Sequence, residues 1–167
     1  MTTAATTSAP VSVPMIERRA IEAELMLAIH SAAVAQAGTV KARAILEAAI
    51  DESARAAGRA FAASATAESG GPSLAHFATV LERWSQGGVL VIEDVRLTAS
   101  ELTFRVTRCG YMERYAALGV PPKLRTVFSC RRDQGFAEGY SANLRMLRPE
   151  TIGEGGECCR FAFQWSV

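Results

Sequence analysis

Histidine is scarce: there are two, His30 and His76, in 167 residues, and both are far from every cysteine in sequence. That shortage leaves a Cys-His dyad dependent on one of them folding back over distant parts of the chain. Zinc-finger and zincin spacings are missing too, since neither C-x-x-C nor H-E-x-x-H occurs. No basic run exists and the formal net charge is +1, which removes the electrostatic case for nucleic acid. No apolar stretch is long enough to span a bilayer. A glycine-rich phosphate loop is also lacking: "GEGGE" lies between strand-like runs, and "ESGGPS" carries no lysine. The opening "MTTAATTSAPVSVP" has neither a basic nor an apolar signal-peptide region, so residues 1–14 are expected to be a disordered tail.

What remains is an ordinary soluble composition, 49% apolar and 21% charged, of a length that suits one domain over residues 15–167. Up to Trp84 the rhythm is helical. Ile21, Leu25, Ile29 and Ala32 make one apolar stripe, and Gly38-Thr39 ends that helix and starts an alanine-rich second one, with Thr39 as N-cap. Ser73 caps a third helix with the face Leu74, Phe77, Leu81 and Trp84, which Gly87-Gly88 stops. From Val89 the period becomes two. Runs at 89–96 and 102–107 predict an antiparallel hairpin, followed by helical stretches near 109–118 and 122–139, then strands at 144–148 and near the C-terminus. On the last strand Cys159, Phe161, Phe163 and Trp165 share a face. The expected fold is α+β: an N-terminal helical layer packed on a roughly four-stranded, mainly antiparallel sheet with two inserted helices. Alanine-rich helices with a flat face suggest a homo-oligomer.

The four cysteines, Cys109, Cys130, Cys158 and Cys159, all lie in the C-terminal part, and the adjacent pair makes a poor disulfide framework. A reducing cytoplasm is the expected compartment. Cys109 stands where a strand turns into a helix. There, helix N–H groups and Arg108 would lower its thiol pKa and make it a nucleophile. Glu113, four residues on, shares its helix face and suits proton transfer. The same spacing equally describes an idle half-buried cysteine beside a solvated glutamate. Cys130 and Asp133 share another face, three apart. Arg131 reads as a surface ion-pair residue, Cys159 as a core thiol, and the two histidines as structural. Cys109, Cys130, Cys159 and Asp133 have the donor types of a zinc set without its spacing; no cofactor is expected.

The ordered elements from Val106 to Trp165 resemble the L-2-amino-thiazoline-4-carboxylic acid hydrolase family, and with the helical N-terminal half and "LERWSQGGVL" the resemblance covers about Met15 to the end. The resemblance rests on Arg108, Cys109, Tyr111 and Glu113 in an R-C-x-Y-x-E pattern, Leu118-Gly119, then Ser129, Cys130 and Asp133. It continues through Ala137 to Tyr140, Arg148 and Thr151, and Glu154, Gly155, Cys159 and Phe161. It implies a small-molecule substrate and opening of a thiazoline-type ring by water attack at the amidine carbon, giving a carbamoyl-cysteine. It implies Cys109, Asp133 and Glu113 as catalytic candidates. Arg108, Tyr111, Cys130, Arg132, Arg148 and Cys159 become candidates for substrate binding, an arginine holding the carboxylate. One departure stands out: Arg131 occupies a position where the family carries an amide side chain. The final-strand element is similar to the vinyl-reductase-type small-molecule-binding domains as well, which implies a sensor module as the alternative.

Overall fold

The computed structural model describes residues 13–66 and 71–166; most of the expected N-terminal tail and residues 67–70 of the loop near Gly71 lie outside the described residues. Two long helices open the chain, α1 (Met15–Ala37) and α2 (Thr39–Ala63), followed by short α3 (Leu74–Ala78) and α4 (Val80–Ser85). The hairpin β1 (Leu90–Leu97) and β2 (Glu101–Cys109) leads into α5 (Gly110–Ala117), α6 (Pro122–Phe128) and α7 (Cys130–Tyr140). Strands β3 (Leu144–Glu150) and β4 (Cys159–Trp165) complete a sheet of order β1-β2-β4-β3, every neighbour antiparallel. The α+β architecture with a helical N-terminal layer is the one the sequence predicts.

Register explains the core. Leu102 pairs with Phe163, Phe104 with Phe161 and Val106 with Cys159. Because side chains alternate along a strand, these pairings put all the large apolar residues of the two central strands on one face. That face is covered by Phe77 and Val80 of the short helices and by Ala137 and Tyr140 of α7. Each such side chain buried contributes about 1.5–3 kcal/mol. A second cluster joins Leu46 and Ile50 of α2 to Tyr111 and Tyr115 of α5 and to Val127 and Phe128 of α6. Cys109 and Leu90 touch both clusters.

Three local expectations are corrected. The inserted helices number three, because Ser129 (φ −112°, ψ −73°) interrupts the run after Pro122. Thr39 is the first helical residue rather than the cap; Gly38, with φ 79°, makes the turn. The α1 stripe faces outward: Ile21 and Leu25 are each 62% exposed, whereas Ala20 and Ala23 are buried. α1 therefore packs through its small residues, which let its backbone approach α2 and α5. The Ser73 cap is present as expected, its hydroxyl accepting the His76 N–H.

The closest helix contact is α2 against α7. A Cβ on Gly139 would stand 2.1 Å from the Arg55 carbonyl oxygen, and one on Gly58 would stand 2.2 Å from that of Phe136. Backbone, not movable side chain, fills the space at both positions. Ion pairs edge the seam: Arg131 clasps Asp51 with two bonds of 2.7 Å, and Arg55 reaches Glu138 at 3.2 Å. Replacing Gly139 by alanine should lower stability by at least about 2 kcal/mol. Urea unfolding measures this; a loss below about 0.5 kcal/mol would contradict the close packing.

Candidate functional site

The last turn of β2, the start of α5, the start of α7, β3 and the start of β4 converge on a cavity of about 100 Å³. That is small even for a ligand site, and it limits the occupant to a compact molecule. Its apolar wall is Phe104, Val106 and Phe161 from the sheet, with Trp84 and Phe136 opposite. Into it face three thiols, Cys109, Cys130 and Cys159, and the polar groups Asp133, Arg148, Arg132, Arg19, Tyr111, Tyr115 and Ser129. Asp133 is the one acidic side chain in that lining.

Asp133 sits one turn into α7 and Arg148 in mid-β3, and the two form an ion pair across the cavity. The same guanidinium donates to the Cys130 carbonyl at 3.0 Å and lies 5.3 Å above the Phe161 ring. The arginine is thus fixed by a carboxylate, a carbonyl and an aromatic face. Asp133 lies deep in the protein yet keeps 26% of its side chain accessible, because it borders the void. Burial pushes its carboxyl pKa up to about 6, against the opposing pull of Arg148, Arg132 and Arg19.

Two of the thiols, Cys109 and Cys130, are held neutral by burial. Cys109 is the residue immediately before α5, in extended conformation (φ −121°, ψ 98°). The amides of Met112 and Tyr111 favour its anion, as a helix start should, but burial outweighs them and pushes the thiol up to about 12. The activation expected from Arg108 does not arise. Arg108 and Glu113 bind each other through two hydrogen bonds on the outer surface, each more than half exposed. Neither lines the cavity, so the structure separates these two candidates from Cys109 and Asp133. Cys130 is also pushed up, to about 11, by burial and by the nearby Asp133 charge. The Cys130 and Cys159 sulfurs stand 3.6 and 3.5 Å from the Thr151 hydroxyl, and the Ile152 N–H donates to Cys159 at 3.3 Å. These two sulfurs are held in a local network around the buried Thr151.

The donor set imagined for zinc is not assembled. Among the described residues no group of three or more His, Cys, Asp or Glu is placed to hold a metal ion. Asp133 is engaged by Arg148 and two sulfurs by Thr151. His76 stacks on Phe61 and meets the Tyr140 hydroxyl at 2.9 Å, the structural role expected of it. Arg131 points at Asp51 and Glu47 of α2. Its departure from the family's amide therefore concerns the helix seam, not the cavity wall.

Two lining residues were not legible beforehand. Arg19 lies on α1, far upstream of the motif, where the sequence pattern marks only the apolar stripe. Tyr115 follows Tyr111 by four and so shares its helix face, a spacing that could have marked it. The Tyr111 hydroxyl donates to the Trp84 carbonyl at 3.3 Å.

The described residues thus enclose a compact cavity lined by a carboxylate–guanidinium pair, the Cys109 and Cys130 thiols and further arginines, a chemistry suited to a small polar molecule. The model of the L-2-amino-thiazoline-4-carboxylic acid hydrolase family matches residues 18–163, and the chain belongs to that family. Membership implies hydrolysis of L-2-amino-thiazoline-4-carboxylate, the work of a hydrolase acting on a cyclic amidine. No curated protein and no solved structure matches the chain.

Alkylation tests the thiol assignment. With a pKa near 12, Cys109 should react with iodoacetamide at pH 8 on the order of a thousandfold more slowly than free cysteine. Peptide mass spectrometry follows it; labelling at the rate of free cysteine would contradict a buried neutral thiol.

Proposed function

We propose that ring opening takes place in this cavity with Asp133 as the group that moves protons. The observation that carries the reading is the placement of Asp133: the lone carboxylate of the lining, ion-paired to Arg148, with a pKa raised toward neutrality. A carboxyl with a pKa near 6 is mostly ionised at pH 7 and still basic enough to take a proton from water. Water then adds to the amidine carbon while Asp133 accepts its proton. Asp133 hands that proton to the ring nitrogen as the C=N bond becomes C–N; the tetrahedral adduct then collapses to a carbonyl with cleavage of the carbon–sulfur bond, its hydroxyl proton passing through Asp133 to the departing sulfur. One water is consumed and an N-carbamoyl-cysteine results.

Arg148 orients the carboxylate and keeps its raised pKa from rising further. Cys109 contributes as a neutral thiol bordering the reacting ring, not as a resting thiolate. Cys130 and Cys159 shape the wall beside Thr151. Arg132 and Tyr111 line the part of the cavity nearer α1 and α5, within reach of substrate.

The pH dependence follows from the sign of the shift. The ionised form is the active one, so kcat/KM should rise with pH through about 6 and level above it. Stability should run the other way. The folded state holds this proton more tightly than the unfolded chain, so Asp133's contribution is fully present below about pH 4. It is lost as pH rises through about 6. Asp133→Asn should lower kcat about 10²- to 10⁴-fold and abolish the rise. Steady-state kinetics on L-2-amino-thiazoline-4-carboxylate checks both. Substrate binding without turnover in the wild type would favour the sensor alternative, and an unchanged pH profile in the variant would remove Asp133 from the chemistry.

Self-association is proposed alongside, with a second copy of this chain on the outer face of α1. Ile21, Leu25 and Ile29 are exposed there beside Ile45 of α2. Glu24, near the middle of α1, and Lys41, in the first turn of α2, form no ion pair among the described residues. An antiparallel second copy would set these opposite charges against each other. Light scattering should give a dimer mass that falls to a monomer in Leu25→Glu; a wild-type monomer would contradict it. No described helix is long and apolar enough to cross a membrane. The four free cysteines support a reducing, cytoplasmic setting.

A further inference from the structure

We propose that Arg19 and Tyr115, together with Arg132, form the end of the cavity that holds the substrate's carboxylate and so set the preference for acidic over neutral rings. The proposal rests on the hydrolase reading above and assigns the half of the site which that reading leaves unused.

Three observations carry it. The first is charge. Asp133 and Arg148 cancel each other, but at the other end two guanidinium groups share one carboxylate. Arg19 donates to Glu22 at 2.6 Å and Arg132 donates to the same oxygen at 3.1 Å. Arg18 approaches the other Glu22 oxygen only from solvent, at 3.9 Å. The lining therefore keeps an uncompensated positive charge, matched by one carboxylate. The Arg132 pKa is lowered by burial and by the neighbouring Arg19 charge, the strain that an added anion relieves.

The second is an unspent donor. Tyr115 is fully buried, its hydroxyl has no hydrogen-bond partner among the described residues, and it lines the cavity. A buried hydroxyl without a partner is costly unless a ligand completes it. The third is placement: Arg19, Arg132 and Tyr115 all line the same cavity, and both guanidinium charges bear on the Tyr115 hydroxyl. Arg132 is held in place by its bond to the Phe128 carbonyl at 2.7 Å, and Glu22 positions both arginines. Two charged donors and a neutral hydroxyl suit a carboxylate's acceptor-only oxygens.

The test compares L-2-amino-thiazoline-4-carboxylate with 2-amino-2-thiazoline, the same ring without the acid, by kinetics and by calorimetric binding. The wild type should prefer the acid. Tyr115→Phe and Arg19→Met should each shrink that preference about 10- to 100-fold, mainly through KM and binding. Tyr115→Phe should also keep or raise the melting temperature of the ligand-free protein, because it removes an unpartnered buried hydroxyl. Equal use of both rings by the wild type overturns the carboxylate assignment while leaving the hydrolase reading intact. Equal loss on both rings in the variants, or a lower melting temperature with preference unchanged, shows a structural role and overturns it too. If the acid binds with the stated preference but neither ring turns over, the carboxylate assignment stands and the hydrolase reading alone fails.

Discussion

The α2–α7 crossing is the constraint on which the rest of the structure depends. Gly58 and Gly139 bring two helix backbones to a separation that any side chain would prevent. Gly135 extends the seam, a Cβ there falling 2.9 Å from the Ala54 methyl. This contact fixes how far α7 stands above the sheet, and α7 carries Cys130, Asp133 and Phe136. A wider crossing would pull Asp133 away from Arg148 on β3. The void beneath α7 is thus the gap left where a tightly held helix spans the bend between two core clusters.

Electrostatics inside the cavity follows from burial more than from helix position. The start of α5 favours a thiolate at Cys109, but the favourable amide contribution is smaller than the cost of taking that charge out of water. Asp133 meets the same cost and still ionises near neutral pH, because three arginines oppose the penalty. One apolar enclosure thereby keeps the Cys109 and Cys130 thiols protonated and raises the Asp133 carboxyl toward neutrality. The proposed division of labour puts proton movement at the Asp133–Arg148 end and anion recognition toward Arg19, Arg132 and Tyr115.

Much of the fold was legible because strand patterns are short-range and unambiguous. Leu102, Phe104 and Val106 against Cys159, Phe161 and Phe163 could face only one core. The α1 stripe misled because apolar spacing marks a face without saying what covers it. Alanines at 20 and 23 won the inner side through close backbone approach, a tertiary effect. The break at Ser129 falls among modest helix formers, Thr126, Val127, Phe128 and Cys130, with no glycine or proline there to mark a stop. Cys109, Cys130, Asp133, Arg132, Arg148, Tyr111 and Cys159, spread over some fifty residues of sequence, line one cavity. Arg108 and Glu113 belong to the same motif but satisfy each other outside, a pairing that spacing alone does not distinguish from a catalytic one. Arg19 comes from a helix some ninety residues upstream of the motif, and only the folded chain brings it there.

The central claim is that the ring opens beneath α7, beside Asp133. The most direct measurement is a crystal structure of the protein with N-carbamoyl-cysteine bound. The account predicts the product inside the cavity, its carbamoyl group within hydrogen-bond reach of the Asp133 carboxyl. Product seated on the outer surface at Arg108 and Glu113, with the cavity holding only solvent, would contradict it.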